Sequence, residues 1–135
     1  MAFATLAMTR LRAGVEEADA PEELVQARLD DAHARVTARI SATVPTDPPP
    51  GPLAAGEATL AGAYLLRSLA ARAAGERRTV RVGGQSVERG RHGAELAAVA
   101  ACLEAEAWEM LAPFLAPPPP RVQALATHTK AVLGD

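Results

Sequence analysis

The stretch "RTVRVGGQSVERG", residues 78–90, decides the fold. It lies between Ala-rich segments that read as helix, yet it carries β-branched residues, a glycine pair and three arginines. A Walker-type phosphate loop needs a lysine directly after its second glycine, and Lys130 is the only lysine of the chain. A nucleophile elbow needs Gly-x-Ser-x-Gly, and "GQSVE" puts Glu88 where the second glycine belongs, so Ser86 lacks the tight turn. A dinucleotide fingerprint needs a third glycine and a βαβ unit. A hairpin fits better. Thr79, Val80 and Val82 favour strand, Gly83 and Gly84 suit the two central positions of a primed turn, and Gln85 to Val87 return. The expectation is a two-stranded hairpin over about 78–89, with Val80, Val82 and Val87 on one face and Arg78, Arg81 and Arg89 on the other. A lone hairpin is marginal, so it must pack on its neighbours.

Outward from it, the chain reads as helix. Helix 1 is expected over about Thr5–Ala13, stopped by Gly14. Helix 2 is expected to be capped by Asp19, with Glu22 completing a capping box and Pro21 tolerated in the first turn. Its apolar stripe is Val25, Leu29, Ala32, Val36 and Ile40, and it should end near Thr43. "VPTDPPPGP", residues 44–52, is a stiff surface connector. Helix 3, about Leu53–Ala74 with Gly75 as its stop, is apolar nearly all round and should be buried on several sides. Helix 4, about His92–Phe114, should bury Leu96, Val99, Leu103, Met110, Leu111 and Phe114. The fold class is therefore all-α: a small bundle of four main helices, one β-hairpin between helices 3 and 4, and an extended C-terminal tail. Residues 1–116 form the helical domain and 117–135 a Pro-rich exit and tail.

A chain of 135 residues suits one domain. Aromatics make up only 3%, so Ala, Leu and Val must build the core, and a core so thin favours support from neighbouring copies. The single cysteine, Cys102, excludes a disulfide or a multi-cysteine metal site within one chain, and its apolar neighbours suggest a buried thiol. In "MAFATLAM" the positive charges follow the apolar run instead of preceding it, unlike a signal peptide. No run reaches the ~18 apolar residues of a membrane span. The expected class is a soluble, intracellular protein without a membrane partner.

No catalytic constellation, cofactor site or metal site is read from the residues. His33, His92 and His128 fall on different elements with no helix-spaced partner. Asp30 and Asp31 sit beside Arg28 and Arg35, which favours ion pairing over acid–base work. Charge is unevenly spread although the net is only −2. From residue 67 to 91 there are seven arginines (67, 72, 77, 78, 81, 89, 91) against Glu76 and Glu88, whereas helix 4 carries Glu95, Glu104, Glu106 and Glu109. The two halves could solvate each other within one subunit. They could pair one subunit's basic face with the next subunit's acidic face, which repeats head to tail and can close into a ring. The basic segment could also face nucleic-acid phosphates.

The order of elements adds a resemblance. "TLAMTRLRAGVEEADAPEELVQARLDDAHARV" (5–36) resembles the opening of the head–tail connector, or adaptor, proteins of long-tailed bacteriophages. "ATLAGAYLLRSLAARAAG" (58–75) is similar to their third helix and "LEAEAWEMLAPFL" (103–115) to their last. The Pro-rich break and the "APPPP" exit have no counterpart in that pattern. The resemblance implies a structural, non-enzymatic subunit of a twelve-membered ring in the virion neck, present in the host cytoplasm before assembly. Such a ring docks beneath the portal protein, extends the DNA channel and receives the next tail or neck component. Arg77, Arg78, Arg81, Arg89 and Arg91 would then serve subunit contacts or line the channel in non-specific contact with packaged DNA. Val122, Leu125, Val132 and Leu133, near one face of the tail if it is helical, would dock on the portal. Two other readings stay open. One is a winged-helix-like DNA-binding protein whose wing is the arginine-rich hairpin, although its recognition helix would offer little beyond Thr59, Arg67 and Ser68. The other is a small helical regulatory subunit.

Overall fold

The computed structural model describes residues 1–79 and 83–117, with 76–79 and 83–92 described as backbone. It is mainly helical: α1 Leu6–Ala13, α2 Glu22–Arg39, α3 Gly51–Thr79 and α4 Gly83–Leu111, followed by a 3-10 turn at Ala112–Phe114. There is no strand among the described residues beyond one bridge between Ile40 and Leu115.

Each helix boundary has a local cause. Thr5 caps α1 by accepting the Met8 N–H at 3.1 Å, and Gly14 closes it in the left-handed conformation at φ 69°. Asp19 does not cap α2. The helix begins after Pro21, whose carbonyl accepts the N–H groups of Leu24 and Val25, and Asp19 lies two residues too early to reach the first turn. Its carboxylate accepts the Glu16 N–H instead, at 3.4 Å. The end of α2 is Arg39 and not Thr43. Ile40 turns extended because Ser41 donates to the Phe114 carbonyl and Ala116 to the Arg39 carbonyl, both at 2.8 Å. Two backbone bonds thus clip the end of α2 to the exit of α4.

The expected hairpin over 78–89 is not what the described residues form. Arg78 and Thr79 close α3, and Gly83 and Gly84 open α4 instead of sitting in a primed turn. Residues 80–82, which include Arg81, lie outside the described residues. The physical reason is a balance of local and tertiary terms. Two valines and a threonine give strand propensity only where a sheet exists to pack against. Extending a helix already packed on a partner adds one hydrogen bond for each residue fixed. Gly75 is likewise passed through by α3, at a cost of about 1 kcal/mol that packing can override.

Helix α3 packs on α4, α2 and α1, and its residues Leu53, Leu60 and Leu65 are fully buried. Of the row expected to line the seam of α4, Leu111 is fully buried, Leu96, Leu103, Met110 and Phe114 are half-buried, and Val99 faces outward, 49% exposed. Ala100 and Ala107 are fully buried as well. Ala100 and Ala107 are one heptad apart, so both stay on one side of the helix. Small side chains let α3 and α4 approach closely. A Cβ on Gly56 would meet Leu111 Cγ at 2.8 Å, and one on Gly93 would meet the Ala70 carbonyl at 3.4 Å. These contacts place the start of α3 beside the end of α4, so the pair runs antiparallel. The seam also explains Cys102, which is exposed and not buried. At about 100° per residue it lies roughly 200° around α4 from Ala100.

Candidate functional site

Three features could carry function: the distal end of the α3–α4 pair, a groove between α2 and α3, and a buried acid at the hub of the core. Each of α3 and α4 has 29 residues, against 18 in α2 and 8 in α1. At 1.5 Å per residue they run about 43 Å, and α2 about 27 Å. Arg77 and Arg78 belong to the last turn of α3, and Arg89 and Arg91 to the first turns of α4. The antiparallel backbone therefore brings these four positions to one end of the pair. Arg67, further down, forms an ion pair with Glu104 across the two helices, and this bond raises the Arg67 pKa. Here the basic and acidic halves do solvate each other within the chain.

The groove has a volume of about 660 Å³. From α2 it takes Arg28, Asp31, Arg35 and Ala38, spaced at three and four residues, so one helical face lines it. From α3 it takes Tyr64, Arg67, Ser68 and Ala71. Alanines leave the floor shallow and apolar, and the arginines stand at its rim. Arg28 reaches Asp31 at 3.3 Å, which is the ion pairing expected of this segment. Two buried donors have no hydrogen-bond partner among the described residues: the Tyr64 hydroxyl and the Arg28 Nε–H. Burial pushes the Tyr64 phenol up from its ordinary value. Arg35 and Arg67 oppose that shift and Glu104 and Asp31 add to it. The groove is thus rich in donors and lacks an acceptor for two of them.

Sequence reasoning passed over Glu57. Its side chain is fully buried, at 0% exposure. Oε2 accepts the Ala4 N–H at 2.7 Å, and Oε1 lies 2.6 Å from His33 Nδ1. With the carboxylate ionised, Nδ1 carries the proton and donates it. Phe3 packs edge-on against the His33 ring, with centroids 4.8 Å apart. One acid thereby ties the N-terminal segment, α2 and α3 together. The available signal was a single charged residue inside the apolar run 53–66 of helix 3. Such a residue must find partners when buried.

Of the other residues singled out, Thr59 is buried and donates to the Ala55 carbonyl at 2.8 Å. Val122, Leu125, Val132 and Leu133 lie outside the described residues, as does His128. Among the described residues no group of three or more His, Cys, Asp or Glu side chains could hold a metal ion. Nor is any described helix long and apolar enough to cross a membrane. No family model matches this chain, and no curated protein or solved structure matches it either.

Proposed function

We propose that this chain is a structural subunit of a ring that joins a phage portal to the tail and extends the DNA channel. The observation that carries the reading is the long α3–α4 pair with Arg77, Arg78, Arg89 and Arg91 gathered at one end. In a ring, each subunit contributes such an end, and the summed positive potential suits a passage for a polyanion. Phosphate contacts of this kind hold DNA without reading its sequence. The resemblance of segments 5–36, 58–75 and 103–115 to phage adaptors points the same way. In this reading the chain does no chemistry of its own, and its partners are further copies, the portal, and the next neck or tail component.

The winged-helix reading has less support. Its recognition helix would be α3, where Thr59 and the surrounding leucines are buried against the other helices. Its wing would need strands where Thr79 and Gly83–Arg89 are helical.

The test is the mass of the protein alone and mixed with its portal. A multimeric complex with the portal is expected. A chain that never associates with portal, and instead binds one duplex sequence tightly at physiological salt, would overturn the proposal. The tail gives a second arm. Deleting residues 121–135 should leave the melting temperature nearly unchanged while abolishing portal attachment, because a helix of about twelve residues is marginal alone and gains stability only when docked. A truncated protein that still joins the portal would exclude that role for the tail.

A further inference from the structure

Two donors of the α2–α3 groove lack acceptors, and two carboxylates on the outer face of α4 lack ion-pair partners, among the described residues. Along that face Ala98, Cys102 and Ala105 are exposed, with Val99 49% exposed. Glu106 and Glu109 continue it and are exposed, and neither forms an ion pair among the described residues. Across the molecule the groove presents an apolar floor that includes Ala34 and Ala38. Above it stand the unpartnered Tyr64 hydroxyl, the unpartnered Arg28 Nε–H and the guanidinium of Arg35. Arg35 likewise has no ion-pair partner among the described residues.

We propose that the groove between α2 and α3 receives the outer face of α4 from a second copy of this chain. Charge and shape both fit. Small residues on each side let two helices approach closely, and carboxylates, which only accept, meet guanidinium groups, which only donate, and a phenol hydroxyl free to donate. The register follows from helix geometry. With the incoming α4 antiparallel to α2 and Cys102 over Ala38, Glu106 comes level with Ala34, about 1.5 Å along the axis from the level of Arg35 and within reach of its side chain. Glu109 comes level with Asp31, and Arg28, about 4.5 Å along the axis and already paired with Asp31, would bridge the two carboxylates and offset their repulsion. Groove and stripe are different faces of one subunit, so each copy uses one of each. The contact is heterologous and propagates head to tail until it closes. This deepens the ring reading by naming the surfaces that join its subunits.

Cys102, the only cysteine, supplies the test. Ala38→Cys is introduced on the exposed flank of the groove, and the protein is oxidised and run without reductant. The expected result is a ladder of dimers, trimers and higher species, absent from the parent. A parent that cross-links through Cys102 alone to dimers only would show α4 against α4 and overturn the proposal. So would the absence of a ladder from a protein whose native mass is multimeric, which would leave the ring reading standing with another interface. A protein that stays monomeric with and without portal would sink both. Charge exchange gives an independent measurement. Arg35→Glu and Glu106→Arg should each weaken association about tenfold or more, since like charges then face each other. The double variant should recover most of it, and failure to recover would overturn the assigned register.

Discussion

Replacing Glu57 with alanine should be strongly destabilising, because Glu57 is the one fully buried acid among the described residues. Its two carboxylate oxygens hold the Ala4 N–H at 2.7 Å and His33 Nδ1 at 2.6 Å, from a side chain with no exposure to water. A hydrogen bond to a charged group contributes about 1.5–3 kcal/mol, and a buried donor left without an acceptor costs about 1–3 kcal/mol. Ala4 is only 6% exposed, so water cannot easily replace the missing carboxylate there. His33 is more accessible, with 22% of its side chain exposed, and can turn to solvent. The sum is a loss of about 2.5–6 kcal/mol. Glu57→Gln keeps an acceptor for Ala4 and can donate to the other tautomer of His33. Neutral bonds have about half the strength of charge-assisted ones, so this variant should lose about 1–2 kcal/mol. Urea unfolding with an unchanged slope measures both. Amide exchange adds a local readout, since the Ala4 N–H should lose its protection in Glu57→Ala well below global unfolding. An alanine variant within about 1 kcal/mol of the parent, or a glutamine variant as damaged as the alanine one, would refute this account of the hub.

Gly56→Ala should cost about 1–3 kcal/mol, because the added methyl would lie 2.8 Å from two atoms of the fully buried Leu111. Gly75→Ala, where an added methyl meets nothing within 4 Å, should stabilise the helix by about 0.5–1 kcal/mol, and thermal melts of the two variants check the opposite signs. Tyr64 is the only tyrosine, and burial raises its pKa above the ordinary phenol value, so the folded state retains the proton where the unfolded state has lost it. Its contribution to stability is therefore complete below the unfolded value and declines as pH rises through the folded one. An absorbance titration should place the phenol midpoint above its ordinary value, and Tyr64→Phe should remove the corresponding alkaline loss. Replacing Arg77, Arg78, Arg89 and Arg91 with glutamine should weaken DNA binding equally for unrelated sequences. It should also flatten the salt dependence, by a slope of about 0.9 for each phosphate no longer neutralised. A sequence-dependent loss in fluorescence anisotropy would contradict the channel role.

The number and order of helices were legible because they rest on short-range chemistry. Thr5 and Gly14 bound α1 through bonds made within a turn of the chain, and Val25, Leu29, Ala32 and Val36 repeat at helical spacing and are buried as a stripe. The Arg28–Asp31 pair was readable for the same reason, since three residues on a helix fix the distance. The long-range choices were not legible. Residues 79–89 carry local strand propensity, yet Thr79 and Gly83–Arg89 are helical, a choice that depends on neighbours no local pattern contains. Side-chain size pointed to Val99 as core and to Cys102 as buried. The close approach of α3 and α4 buries Ala100 and Ala107 instead and turns both of those residues outward. The candidate sites divide along the same line. Sequence alone gathered the arginines between residues 67 and 91, because charge clustering survives any fold. Only the tertiary structure could place Tyr64 beside Arg28 and Arg35, or bring Ala4 and His33 to Glu57, since those partners lie 24 to 53 residues apart and meet only when the helices pack.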